Sequence, residues 1–94
     1  MNLNKLNKII KDRKLNPEKS SYVSKLFEEG LDRIAQKVGE EAIEVVIAAK
    51  NNNKQRFIEE MADLWFHSLV LLNEKALSPE DIFKELEKRH NKKK

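Results

Sequence analysis

The chain has 94 residues, with 19 Lys and Arg against 16 Asp and Glu, for a formal net charge of +3 and a pI of about 9.2. That length holds one domain, residues 1–94, and the lack of cysteine excludes a disulfide scaffold, a Cys-ligated zinc site and a thiol nucleophile. No apolar run approaches the roughly 20 residues that cross a bilayer, so no membrane partner is expected.

Only two Gly and two Pro occur and β-branched alternation is nearly absent, which predicts an all-α chain of about five helices. Leu3, Leu6, Ile9 and Ile10 recur at helical spacing and predict a first helix over Asn2–Lys14. Asn16-Pro17 ends it, because a residue before proline is pushed out of the α region. Ser20 or Ser21 is the N-cap of a short second helix through Tyr22, Leu26 and Phe27, which stops at Gly30. A long helix is expected over Leu31–Lys50. Asn51-Asn52-Asn53 is a turn, since Asn tolerates left-handed backbone. A second long helix covers Lys54–Lys75. Ser78, Pro79 and Asp81 open a last helix that carries Ile82, Phe83 and Leu86 and frays near His90.

At about 100° per residue, Leu31, Ile34, Ala35, Val38, Ala42, Val45 and Ala49 share one face of the first long helix, the expected core stripe. Arg33, Lys37, Glu41, Glu44 and Ala48 line its edge. Ile43 and Ile47 lie opposite and suggest a second packing surface between subunits. The second long helix is apolar nearly all round, which predicts burial nearly all round, with Trp65 and Phe66 in the core. Its polar stripe is Arg56, Glu60, Asp63, His67 and Glu74. Acids on such a helix need cations, hydrogen bonds or a metal.

The short Asn turn makes the two long helices antiparallel neighbours. Glu41 stands about ten residues before it and Asp63 about ten after it, so the pairs Glu41/Glu44 and Glu60/Asp63 fall at similar heights and can converge. Acids at i, i+3 on a helix are by themselves usually a solvated face. Two such pairs beside apolar stripes on consecutive helices form a candidate site for a hard cation, Mg²⁺ or Mn²⁺, with Glu41, Glu44, Glu60 and Asp63 as ligands. Such an ion neutralises charge on a phosphoanhydride, and Lys37 and Arg33 can hold the remaining phosphate charge. Catalysis of that kind is positioning and electrostatics, without a nucleophilic side chain. Glu40 points away on the wheel and reads either as a base orienting water or as a solvated acid. His67 reads as a hydrogen-bonded structural residue or as a substrate contact.

The runs Lys37–Glu44 (KVGEEAIE) and Glu60–Asp63 (EMAD) resemble the EExxE and ExxD signature of the all-α nucleotide pyrophosphohydrolase superfamily. With Ser20–Leu26 (SSYVSKL), Gly30–Glu41 and Ala62–His67 (ADLWFH), the resemblance extends over nearly the whole chain to the phosphoribosyl-ATP pyrophosphatase family. It implies Mg-dependent hydrolysis of phosphoribosyl-ATP to phosphoribosyl-AMP and diphosphate, the second step of histidine biosynthesis. It implies Glu41, Glu44, Glu60 and Asp63 as metal ligands with Glu40 in or beside the shell. Tyr22, Lys25, Arg33, Lys37 and His67 stand as substrate-binding candidates. A homodimeric helical bundle around the site is also implied. The family is often fused to a cyclohydrolase that resembles a Cys-ligated zinc protein, so a chain of 94 residues without Cys is expected to be the stand-alone pyrophosphatase. Val23 departs from the Thr more usual in the family.

The competing expectations are a housecleaning nucleoside triphosphate pyrophosphohydrolase on the same scaffold and a helical interaction module whose Ile43/Ile47 patch binds a partner. Aromatics make up 6% of the residues and no basic stripe interleaves with them, so nucleic acid is not an expected partner. A first stretch broken by Asn and Lys is unlike a signal peptide, which makes the cytoplasm the expected location. The closing lysines Lys92, Lys93 and Lys94 read as a solvated end.

Overall fold

The computed structural model describes residues 1–93, with the side chains of 1–92. Among the described residues the chain is all helical: α1 (Leu3–Leu15), α2 (Tyr22–Glu29), α3 (Leu31–Ala49), α4 (Lys54–Glu74) and α5 (Pro79–Lys93). The expectation for Lys94 and for the Lys93 side chain lies outside what is described.

Local chemistry explains each boundary. The Asn2 side chain accepts the Lys5 N–H at 2.8 Å and opens α1. Of the two serine candidates it is Ser21 that caps α2, accepting the Ser24 N–H. Gly30 closes α2 and starts α3 without a break. Its N–H reaches the Leu26 carbonyl and its own carbonyl accepts the Ile34 N–H. Its φ of +95° lies in the left-handed region that favours glycine. Asn53 caps α4 through the Arg56 N–H at 3.0 Å. The Asp81 carboxylate accepts the Ser78 N–H at 2.9 Å, one arm of a capping box at the start of α5.

α4 ends in a Schellman arrangement: the Leu77 N–H bonds the Leu72 carbonyl at 2.8 Å and the Ala76 N–H bonds the Asn73 carbonyl at 3.0 Å. The residue that must turn left-handed is Ala76, at φ +59°. An alanine there carries the Cβ penalty that a glycine would avoid.

The core gathers Ile10, Val23, Leu26, Ile34, Leu69 and Val70, with Leu3, Leu6, Phe27, Phe66, Leu71 and Leu72 packed against it. Polar ties lock α1 onto it. The buried Asn73 amide donates to Asn7 Oδ1 and to the Leu69 carbonyl, and Lys14 Nζ donates to the Asn73 carbonyl at 2.6 Å. Val23 lies in this core, so its methyl groups do the packing work at that position.

α3 and α4 pack along their lengths. Ala48 and Phe57 border one cleft beside the turn, while Glu41 meets Glu60 and Asp63 further from it. Three expectations about burial need correction. On α3, Ile34 and Ala48 are buried and Val38, Ala42 and Val45 half-buried, but Leu31, Ala35 and Ala49 are exposed. The inward face is therefore rotated toward the edge that carries Lys37, Glu41 and Ala48, because α3 has α4 on one side only. Secondly, α4 is not buried all round: Ile58, Ala62 and Trp65, at i, i+4 and i+7, form an exposed stripe. Thirdly, Trp65 is not a core residue of the single chain; 55% of it is exposed. Ile43, Val46 and Ile47 on α3, and Ile82, Phe83 and Leu86 on α5, are exposed as well.

Candidate metal centre

The rotation of α3 decides which acids meet. Glu41, Glu60 and Asp63 each offer an oxygen, and the three oxygens lie within 4.8 Å of one another. Glu60 is buried, with 8% of its side chain exposed, and Arg56 Nη2 stands 3.0 Å from its Oε1. Glu41 is nearly as buried, and Lys37 Nζ lies 3.4 Å from its Oε1. Asp63 is exposed. Two cations flank three acids, so the trio keeps one uncompensated negative charge when all are ionised.

At 4.8 Å, two carboxylate charges repel by about 3 kcal/mol at an effective dielectric of 20 and by about 1 kcal/mol in water. Opposite corners of a magnesium octahedron are about 4.2 Å apart, twice the usual Mg–O distance. Three carboxylate oxygens spread over 4.8 Å thus fit a hard divalent cation after small side-chain rotations, and the all-oxygen donor set disfavours zinc.

The remaining candidates divide. Lys37 also approaches Glu40 Oε1 at 3.6 Å. Partial burial alone would disfavour its charged form. The hydrogen bond to Glu41 and the nearby charges of Tyr22, Glu41 and Glu40 outweigh that and raise Lys37 above its ordinary value. Glu40 is exposed and outside the trio. The Gln36 amide donates to it at 2.9 Å, and this bond, helped by Lys37 and Arg33, holds the carboxyl below its ordinary value. Glu44 is exposed, one turn along α3, and does not join the three oxygens. Arg33 pairs with Glu29 at 3.4 Å. Lys25 lines an open cleft with Arg13, Lys14 and Glu28 at the junction of α1 and α2, apart from the acid trio.

His67 is buried one turn beyond Asp63. Its Nδ1 lies 2.7 Å from the Asp63 carbonyl oxygen and its Nε2 lies 2.9 Å from the Tyr22 hydroxyl. α2 is thereby tied to the helix that carries Glu60 and Asp63. Two features were missed in the sequence. Arg56 stands on the expected polar stripe, and its i, i+4 spacing to Glu60 was the available signal. The Tyr22–His67 pair spans 45 positions and left no local signal.

The phosphoribosyl-ATP pyrophosphohydrolase family model matches residues 3–90, a span that contains every residue of the acid trio. The chain belongs to the phosphoribosyl-ATP pyrophosphohydrolase family. It is 53% identical over 90 residues to a phosphoribosyl-ATP pyrophosphatase of Clostridium acetobutylicum, covering 96% of this chain and 82% of that one. It is equally similar to one of Listeria welshimeri, covering 86% of that protein. The histidine biosynthesis bifunctional protein HisIE of Caldanaerobacter subterraneus is also 53% identical over 90 residues, but there the match spans only 44% of the relative's length.

Proposed function

We propose that this protein hydrolyses phosphoribosyl-ATP to phosphoribosyl-AMP and diphosphate in histidine biosynthesis, with Mg²⁺ held by Glu41, Glu60 and Asp63. One observation carries the reading. Three carboxylates converge on one point inside the span that matches a family whose members are named for this reaction. When bound, the ion supplies Lewis-acid neutralisation of phosphoryl charge. Glu44 is the proposed fourth ligand, reached by a side-chain rotation from its exposed position. Glu40 is proposed to orient water, since Gln36 and Lys37 hold its carboxylate ionised.

Lys37 and Arg33 are proposed to take the phosphate charge that lies away from the acids. Both would exchange a partly solvated carboxylate for a phosphate oxygen, a stronger acceptor site for a cation. Tyr22 and Lys25 are proposed to contact the rest of the nucleotide. The exposed apolar stripes of α3 and α4 support a homodimer, because Ile43, Val46, Ile47, Ile58 and Trp65 are each more than half exposed in the single chain. Among the described residues no helix is long and apolar enough to cross a membrane; the cytoplasm is proposed as the location.

The test is diphosphate release from phosphoribosyl-ATP with Mg²⁺, with chelator, and with a panel of free nucleoside triphosphates. Turnover is expected for phosphoribosyl-ATP alone and only with the metal. Activity that ignores chelator would sink the metal role, and preference for a free dNTP would replace the substrate.

A further inference from the structure

The Tyr22 ring is held on two sides. Phe66 stacks on it at a centroid distance of 6.3 Å and His67 meets it edge-on at 5.8 Å, yet Tyr22 remains 49% exposed. Half of the residue is thereby left open to a ligand. A carbonyl oxygen can only accept, so the 2.7 Å contact to the Asp63 carbonyl requires that His67 Nδ1 carry hydrogen. In the neutral ring Nε2 is then an acceptor. When the ring carries hydrogen on Nδ1 alone, the 2.9 Å contact between Nε2 and the Tyr22 oxygen is made by the tyrosine's own hydrogen. A phenol whose one hydrogen is committed inward has only lone pairs left to offer.

Resting on the reading of this site as one that binds a nucleotide, we propose that His67 is a positioning residue that fixes the hydrogen-bond polarity of Tyr22. The Tyr22 hydroxyl then meets the nucleotide as an acceptor and takes a hydrogen bond from a sugar hydroxyl or an amino group, not from a phosphate. An acceptor-only oxygen is repelled by phosphoryl oxygens, which are themselves acceptors. Tyr22 lies within electrostatic reach of Lys37, so the two divide the ligand between them: Lys37 takes the anionic part and Tyr22 a neutral donor. The chain of bonds from the Asp63 carbonyl through His67 to Tyr22 links this contact to the helix that bears the acids.

Two experiments decide it. The first reads the tautomer of His67 in the ¹⁵N-labelled wild-type protein from long-range ¹⁵N–¹H correlations, and needs no turnover. A ring protonated on Nδ1 alone is expected. A ring protonated on Nε2, or on both nitrogens, overturns the proposal.

The second is a set of variants. Tyr22→Phe removes the hydroxyl. His67→Asn can still donate to the Asp63 carbonyl but places nothing where Nε2 stood, whereas His67→Gln can place an acceptor oxygen near that point. Tyr22→Phe and His67→Asn are each expected to raise KM about 3- to 10-fold, the range of one lost neutral hydrogen bond. The double variant should lose no more than either single one, and His67→Gln should recover most of the loss. With analogues lacking the 2′-hydroxyl, the 3′-hydroxyl or the exocyclic amino group, one analogue should become indifferent to Tyr22→Phe, and its identity names the donor.

A mere structural tether would lower Tm and leave KM untouched in Tyr22→Phe, and that result overturns the proposal. So do additive losses, or equal sensitivity to Tyr22→Phe for every analogue. Failure to bind any nucleotide would remove the activity reading and this proposal together, while nucleotide hydrolysis with the wrong tautomer removes this proposal alone.

Discussion

Replacing Asp63 with Asn should make the metal-free protein more stable and the metal-loaded protein less so. Asp63 is the exposed member of the trio, and its oxygen lies within 4.8 Å of those of Glu41 and Glu60. Because it is solvated, the water-like estimate of about 1 kcal/mol per repulsive pair applies. Two such repulsions, less the attraction of Arg56 and Lys37, leave a gain of about 1 kcal/mol on neutralising Asp63 without metal. For a domain of this size that is a rise of about 4–8 °C in Tm. With Mg²⁺ at a hundredfold excess over Kd, the wild type gains about 2.7 kcal/mol. The variant loses one anionic ligand. A tenfold weaker Kd removes about 1.4 kcal/mol of that gain, enough to reverse the order. The assay is thermal melting of both proteins at one fixed concentration, with EDTA and then across a Mg²⁺ titration. The two melting curves should exchange order between the conditions. If Mg²⁺ shifts both proteins equally, or shifts neither, the trio is not a cation site.

Glu44→Gln should abolish diphosphate release while leaving the stability of the chelator-treated protein within about 0.5 kcal/mol of wild type, as expected of an exposed side chain; full activity would remove Glu44 from the ligand set. Ala76→Gly should stabilise the protein by about 0.5–1 kcal/mol, because glycine avoids the left-handed Cβ penalty and gives back part of the gain in unfolded-chain entropy, and a urea melt reads the change. Ile47→Glu should yield a monomer by light scattering, since it places a charge in the exposed stripe of α3 proposed to pair between subunits; an unchanged mass would move the interface elsewhere.

Part of the helix capping was legible because caps are local: Ser21, one of two serine candidates, accepts an N–H three residues on, and Gly30 suits the φ that joins α2 to α3. Asn2 and Asn53 cap in the same way, although the pattern placed them inside the first helix and in the Asn turn. The apolar face of α3 that carries Ile34, Val38 and Val45 was legible, and it does turn inward. How far the helix rotates toward the edge of Lys37, Glu41 and Ala48 was not legible, nor was what covers Ile43, Val46 and Ile47 on the opposite side. Periodicity places such stripes on a helix but does not say what packs against them. Trp65 misled for the same reason: a large apolar side chain marks a surface that is to be covered, without saying whether its own chain covers it.

About five helices, caps at Ser20 or Ser21, Gly30 and Ser78, and acid pairs at i, i+3 on two consecutive helices were legible along the chain, since all of these depend on neighbours within a few residues. That Glu41, and not Glu40 or Glu44, meets Glu60 and Asp63 follows from packing. A helix wheel gives relative directions, but its absolute rotation is set by packing α3 against α4. The bond between Tyr22 and His67 was likewise decided by folding. It joins helices far apart in the chain, and what makes it is the close approach of α2 to α4 over the shared core.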